Sequence, residues 1–122
     1  MYDARMPFRS ADALLPLTPI SFEILLALLA GERHGYSILQ TVEARLPGAL
    51  PMRTGTIYRA LARLLDEGLI EKSGAGASGD DERRRYYRIT PRGRKIARAE
   101  AERLADQVEA ARAHRLLPEG RR

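Results

Sequence analysis

The sequence predicts a mainly α fold with a two-stranded β wing (α+β), on three observations. Four segments carry helix-boundary signals or helical apolar spacing. Two short β-type runs lie together between the third and fourth of them. A sharply basic stretch begins at the second of those runs. The chain has 122 residues, enough for one domain with a modest core, and it is 44% hydrophobic but only 6% aromatic, without tryptophan. Such a core is built mainly of Leu, Ile and Ala. With no cysteine, disulfides and thiolate metal sites are excluded. No apolar run approaches the ~20 residues that span a bilayer, and "MYDARMPFRSADALL" lacks the order of a signal peptide, so a cytoplasmic protein is expected.

Residues 1–13 show no periodicity and are expected to be a flexible segment. Thr18-Pro19 reads as an N-cap followed by proline at the first helical position. The helix that follows, "ISFEILLALLAG", is apolar on nearly all sides and stops at Gly31. Burial all round is difficult in so small a monomer, which predicts burial of Phe22 and Leu26 against a second subunit. "ERHGYSILQTVEARLPG" gives a turn at Gly35 and a second helix with Ile38, Leu39, Val42 and Leu46 on its apolar face, ended by Pro47-Gly48. The third helix runs from Thr54 to Glu67. Ile57, Leu61, Leu64 and Leu65 form its inward stripe, Thr56, Arg59, Ala60 and Arg63 its outer face, and Gly68 a left-handed C-cap.

"LIEKS" and "YYRIT" are the wing strands, with Tyr87 and Ile89 on one face. The intervening "GAGASGDDERRR" is glycine-rich and long for a hairpin loop, so mobility is expected from Gly74 to Glu82. Thr90-Pro91 repeats the cap signal and opens a helix reaching about Arg115. Within it Ala97, Ala101, Leu104, Val108 and Ala111 step by 4, 3, 4 and 3, the spacing of a dimerisation seam. The order of elements is the winged helix-turn-helix plan, spanning residues 14–90, with a dimerisation helix at 91–115 and a tail at 116–122. In that plan the third helix enters the DNA major groove and the wing flanks it.

Charge supports this plan. The net charge is +5 and the pI about 10.1. "RRRYYRITPRGRKIAR", residues 83–98, alone carries +8, leaving −3 for the remainder. A solvated basic face is the plain alternative; an excess this local fits a phosphate backbone better. The small start of the third helix allows close approach to DNA, its exposed N–H groups suit a phosphate, and Thr54 and Thr56 can donate to one. Arg59 and Arg63, one turn apart, can pair with guanine. Tyr58 beside the inward stripe reads equally as core or as a phosphate contact. Tyr87 is expected in the core, and Arg83, Arg84 and Arg85 on DNA. His34 reads as a turn residue bonded to the backbone. No histidine spacing suits a metal, and Ser21, Ser37 and Ser73 lack a nearby base. Neither a cofactor nor an enzyme is expected. The competing reading is a winged-helix module that binds protein; a small ligand carrier ranks below it.

"HGYSILQ", "TGTIYRALARLLDEGLI" and "RRRYYRITPRG" together resemble the PadR-type bacterial transcriptional regulators, over about Leu17 to Ala113. The resemblance lies with the shorter subfamily that has a single C-terminal dimerisation helix. It implies a homodimeric repressor on a palindromic double-stranded DNA operator, with the last helix packed on the partner's last and first helices. It also implies DNA contacts at Tyr36, Thr56, Tyr58 and the wing arginines, and a small-molecule effector pocket at the dimer interface. Two positions depart from the pattern. Arg59 stands where many relatives have proline, so operator sequence does not transfer. The tryptophan on which drug-binding relatives stack ligands is missing, which argues against an aromatic, drug-like effector.

Overall fold

The computed structural model describes residues 10–46, 54–73 and 85–118. Among these, five helices and three strands follow in the order α1 (Ala11–Leu14), α2 (Pro19–Leu29), β1 (Arg33–His34), α3 (Gly35–Arg45), α4 (Thr54–Asp66), β2 (Ile70–Ser73), β3 (Tyr86–Ile89) and α5 (Pro91–Ala113). The mainly helical fold with a small antiparallel wing is therefore as the sequence predicts. The expected stops at Pro47-Gly48 and the loop from Gly74 to Glu82 lie outside the described residues, as do residues 1–9 and 119–122.

Two elements were not expected. α1 is a single turn across the end of the segment read as flexible, residues 1–13, and Leu14, just past that end, joins the core at 9% exposure. β1 makes the sheet three-stranded, in the order β1-β3-β2, with Arg33 opposite Tyr87 and His34 opposite Tyr86. Two residues are too few to show a period, so this strand leaves no trace in the apolar pattern.

Both threonine caps form. Thr18 accepts from the Ser21 N–H at 3.1 Å and Thr90 from the Gly93 N–H at 2.9 Å, each ahead of a proline at the first helical position. His34 caps α3 through Nδ1, which accepts from the Ser37 N–H at 3.1 Å. Gly68 leaves α4 at φ +74°. The Thr90 hydroxyl also donates to the Gly68 carbonyl at 2.7 Å, and Arg92 Nε to the Glu67 carbonyl at 2.9 Å. These bonds tie the end of α4, the base of the wing and the start of α5 into one joint.

α2 is the central helix, in contact with α3, α4, α5 and β3. Ile24, Leu25 and Leu28 are at 0–2% exposure and meet Ile38, Val42, Ile57, Leu61, Leu69, Ile70 and Ile96. Each such side chain contributes about 1.5–3 kcal/mol on burial. Most of the all-round apolarity of α2 is thus satisfied within the protomer, and only one face remains outside. On it Phe22 and Leu26 are half-buried and Leu29 is 39% exposed.

Candidate nucleic-acid interface

α4 opens with Thr54, Gly55 and Thr56, all poor inside a helix, and is held by its apolar side. Ile57, Ala60, Leu61 and Leu64 are at 0–2% exposure and Leu65 is half-buried. Ala60 therefore belongs to the inward stripe, not to the outer face where it was expected. It lies three residues from Ile57 and four from Leu64, and its small side chain lets α4 pack closely there. Arg59 and Arg63 are exposed and Thr56 is half-buried. The Thr54 side chain lies outside what is described.

Arg59 turns back along α4 towards its N-terminus, as long helical side chains do. Its Nη2 lies 3.5 Å from Thr56 Oγ1, at the limit of a hydrogen bond, and a Cβ on Gly55 would come within 3.2 Å of Nη1. Gly55 thus leaves the space that the guanidinium uses. The charge is carried to the end of the helix, where the unpaired N–H groups also point.

Gly35 organises the rest. Its N–H donates to the Arg85 carbonyl at 3.2 Å, which fixes the start of β3 against the start of α3. A Cβ on Gly35 would lie 2.9 Å from the Tyr58 hydroxyl oxygen, so α4 can approach only a glycine here. Tyr58 packs against the core with its hydroxyl oxygen buried. Tyr58 is half-buried and its hydroxyl oxygen lies against Gly35 of α3, so part of the ring serves the core. Tyr36 follows Gly35 in the first turn of α3 and is 48% exposed. Tyr36 and the Arg85 backbone thereby lie beside Gly35, where α3, α4 and the wing meet. Arg83 and Arg84 lie outside the described residues.

The basic stretch does not act as one face. Arg88 crosses the wing to Glu71, with Nε 2.7 Å from Oε2, and faces Glu32 at 4.0 Å. Ser73 donates to Glu32 as well. Arg92 is committed to the Glu67 carbonyl. By contrast, among the described residues no carboxylate pairs with Arg59, Arg63 or Arg85. Arg63 sits at a different margin, lining a cavity of about 250 Å³ between α4 and the segment that precedes α2.

The seam on α5 is also revised. Ala97 is 5% exposed and belongs to the protomer's own core, so it is unavailable to a partner. Ala101 is exposed, Leu104 and Ala111 are half-buried, and Val108 is 42% exposed. Sequence reasoning missed Glu100, which is 2% exposed on the inner face of α5. Its Oε1 accepts from the Leu17 N–H at 3.2 Å and from Arg103 Nε at 3.0 Å, and its Oε2 from Arg103 Nη2 at 2.6 Å. The Arg103 hydrogen bonds hold its carboxyl below the usual carboxylate range, burial opposes them, and the Leu17 N–H lowers it further. The signal was present in the sequence: Glu100 stands four residues after Ile96, on the same apolar side.

Three helices with an antiparallel strand pair after the third define the winged helix-turn-helix class. Residues 24–99 match the PadR-like family of transcriptional regulators, and the chain belongs to that family. It is similar to a transcriptional regulator from Clostridium thermocellum, with 28% identity, a TM-score of 0.64, and coverage of 86% of this chain and 96% of that one. A PadR family regulator from Clostridium difficile R20291 shares the fold at 23% identity and a TM-score of 0.65, over 80% and 98% of the two chains. So does Lactococcus lactis ZitR in complex with DNA, at 17% identity and a TM-score of 0.55, over 86% and 64%. An uncharacterized protein from Lysinibacillus sphaericus is 34% identical over 71 residues, 58% of this chain. The chain spans 64% of the length of that curated relative.

Proposed function

We propose that this protein is a homodimeric, sequence-specific DNA-binding repressor acting on a palindromic operator. The observation that carries this reading is the exposed start of α4, where Arg59 turns back over Gly55 and no carboxylate among the described residues pairs with it. On this reading the start of α4 enters the major groove. Arg59 and Arg63 read base edges, Thr54 and Thr56 hold phosphates, and Tyr36, Arg83, Arg84 and Arg85 bind the flanking backbone. Family membership supports it, as does the likeness in fold to a protein captured with DNA. Two copies join through Ala101, Leu104, Val108 and Ala111 of α5 and the Phe22–Leu26 face of α2. Repression then follows from occupying a promoter, and an effector at the dimer interface fits the same reading.

The test is selection of bound fragments from the host genome, followed by mobility-shift titration of the best site. Affinity is expected to fall steeply between 50 and 200 mM salt, by about 10³ for six phosphate contacts. Arg59→Ala is expected to cost about 1–3 kcal/mol, roughly 5- to 150-fold, and to relax preference at one base position. Unchanged affinity and selectivity in Arg59→Ala would remove its base-reading role, and salt-independent binding would remove the DNA reading itself.

A further inference from the structure

α3 opens on a histidine, where most helices open on serine, threonine, aspartate or asparagine. His34 Nδ1 accepts from the Ser37 N–H at 3.1 Å, so the neutral ring carries its one proton on Nε2. The same residue pairs with Tyr86 across the sheet, and the two rings meet edge to face with centroids 5.6 Å apart. Two further bonds converge on this turn. Arg33 Nε donates to the Ala27 carbonyl in the last turn of α2 at 3.0 Å, and its Nη1 to Ser37 Oγ at 3.3 Å. The Gly35 N–H holds the Arg85 carbonyl at the start of the wing's last strand. The side chain that the turn leaves outside is Tyr36, at 48% exposure.

We propose that His34 is a positioning residue for the DNA-facing start of α3, and that it serves only as the neutral imidazole, so that operator binding weakens as pH falls. The inference rests on the DNA reading above, in which Tyr36 binds the flanking backbone. A proton on Nδ1 takes the lone pair that the Ser37 N–H uses and turns the acceptor into a donor. Two donors then face each other at the positive end of α3, beside the Arg33 guanidinium. Of the charged and titratable side chains on the surrounding elements, Arg33, Arg85 and Arg88 are cations and Tyr36, Tyr58 and Tyr86 are phenols. Glu32 is the one carboxylate beside them, and Ser73 and Arg88 already engage it. Among the described residues no uncommitted anion therefore holds a protonated ring in place. Added positive charge ordinarily strengthens DNA binding. Here the sign is reversed, because the proton removes an acceptor from the frame that aims Tyr36.

The test uses the full chain at constant ionic strength, free and on an operator, from about pH 8 to about pH 5, the range in which histidines take up protons. In the free chain the imidazole nitrogens are expected to report the Nε2–H tautomer at the upper end. The Tyr36 and Ser37 amide shifts should then follow the ring's own titration. Ring protonation with those amides unmoved would overturn the cap as the responsive element. On the operator, the native chain is expected to lose about fivefold in affinity on acidification, the equivalent of one cap at about 1 kcal/mol. His34 has φ −82° and ψ 162°, a conformation open to other capping residues. His34→Asn keeps a capping oxygen but does not titrate, so it should match the native affinity at the upper end and hold it at the lower. His34→Ala should bind at both ends as the acidified native chain does. His114, the other histidine, stays in every variant. A pH slope that survives in His34→Asn, or affinity that rises on acidification, overturns the proposal. Affinity unmoved while the amides titrate overturns the link to DNA. Absence of operator binding at every pH overturns the DNA reading, and the free-chain titration still decides the cap.

Discussion

At Gly93 a Cβ would lie 2.0 Å from the Leu69 carbonyl oxygen and 2.7 Å from Ile89 Cγ1. The first of these is backbone, which cannot swing aside, so the only relief is to push α5 off the wing. Gly93→Ala is expected to destabilise the fold by about 3 kcal/mol or more, read as a lowered urea midpoint at unchanged slope. Gly55 is a different case, because the nearest atom is the far end of Arg59 at 3.2 Å. Gly55→Ala should leave stability nearly unchanged, or raise it slightly through helix propensity, while moving Arg59 and lowering operator affinity. Equal effects on stability and affinity would refute that separation. Residues of the local kind were legible in the sequence: Thr18, Thr90, His34 and Gly68 do their work within a few positions of themselves. Tyr58 and Ala60 were not, because their surroundings are decided by the approach of α3 and α2, which no local pattern encodes.

Among the elements, α5 combines two roles that its sequence presents as one. Its first turns are core, with Ile96, Ala97 and Glu100 all at 5% exposure or less, and its exposed stretch begins at Ala101. From Ala101 onward the expected seam residues are exposed or half-buried, whereas Ala97 is core, because spacing does not say where a helix leaves its own domain. Glu100 makes the inner half sensitive to acid. Its carboxyl is lowered in the folded chain, first by the Arg103 hydrogen bonds, so its stabilisation is complete above the unfolded value of about 4.3. It is lost as pH falls through the lower folded value. Glu100→Gln is expected to cost about 1–2 kcal/mol at pH 7 and less as pH falls below 4, narrowing the gap in urea midpoints. A gap constant from pH 7 to pH 3 would show that the carboxylate is not what holds Leu17. The wing shows the same limit on legibility: β3 buries Tyr87 and Ile89 on one face as the sequence indicates, while β1 was invisible.

For the whole molecule, the expected plan of three helices, wing and terminal helix stands, with α1 and β1 added. The exposed apolar surface is divided between two elements far apart in sequence, Phe22, Leu26 and Leu29 on α2 and Leu104 and Val108 on α5. Dimerisation through these faces predicts that light scattering gives twice the 13.6 kDa chain mass at micromolar concentration. Val108→Arg should yield a folded monomer with weakened operator binding, since two half-sites about 34 Å apart are no longer held together. A native chain that scatters as one copy would overturn the dimer.

The position of Arg59 has one more consequence. Its side chain is exposed with the guanidinium beside Gly55, whereas α4 is held in place by the contact of Tyr58 with Gly35 and by its buried apolar side. Aim and message are therefore carried by different residues. On the proposed base-reading role of Arg59, a lineage built on this plan changes its genomic address by exchanging one surface side chain, with no repair of the interior afterwards. Duplicated copies can diverge in target before they diverge in architecture.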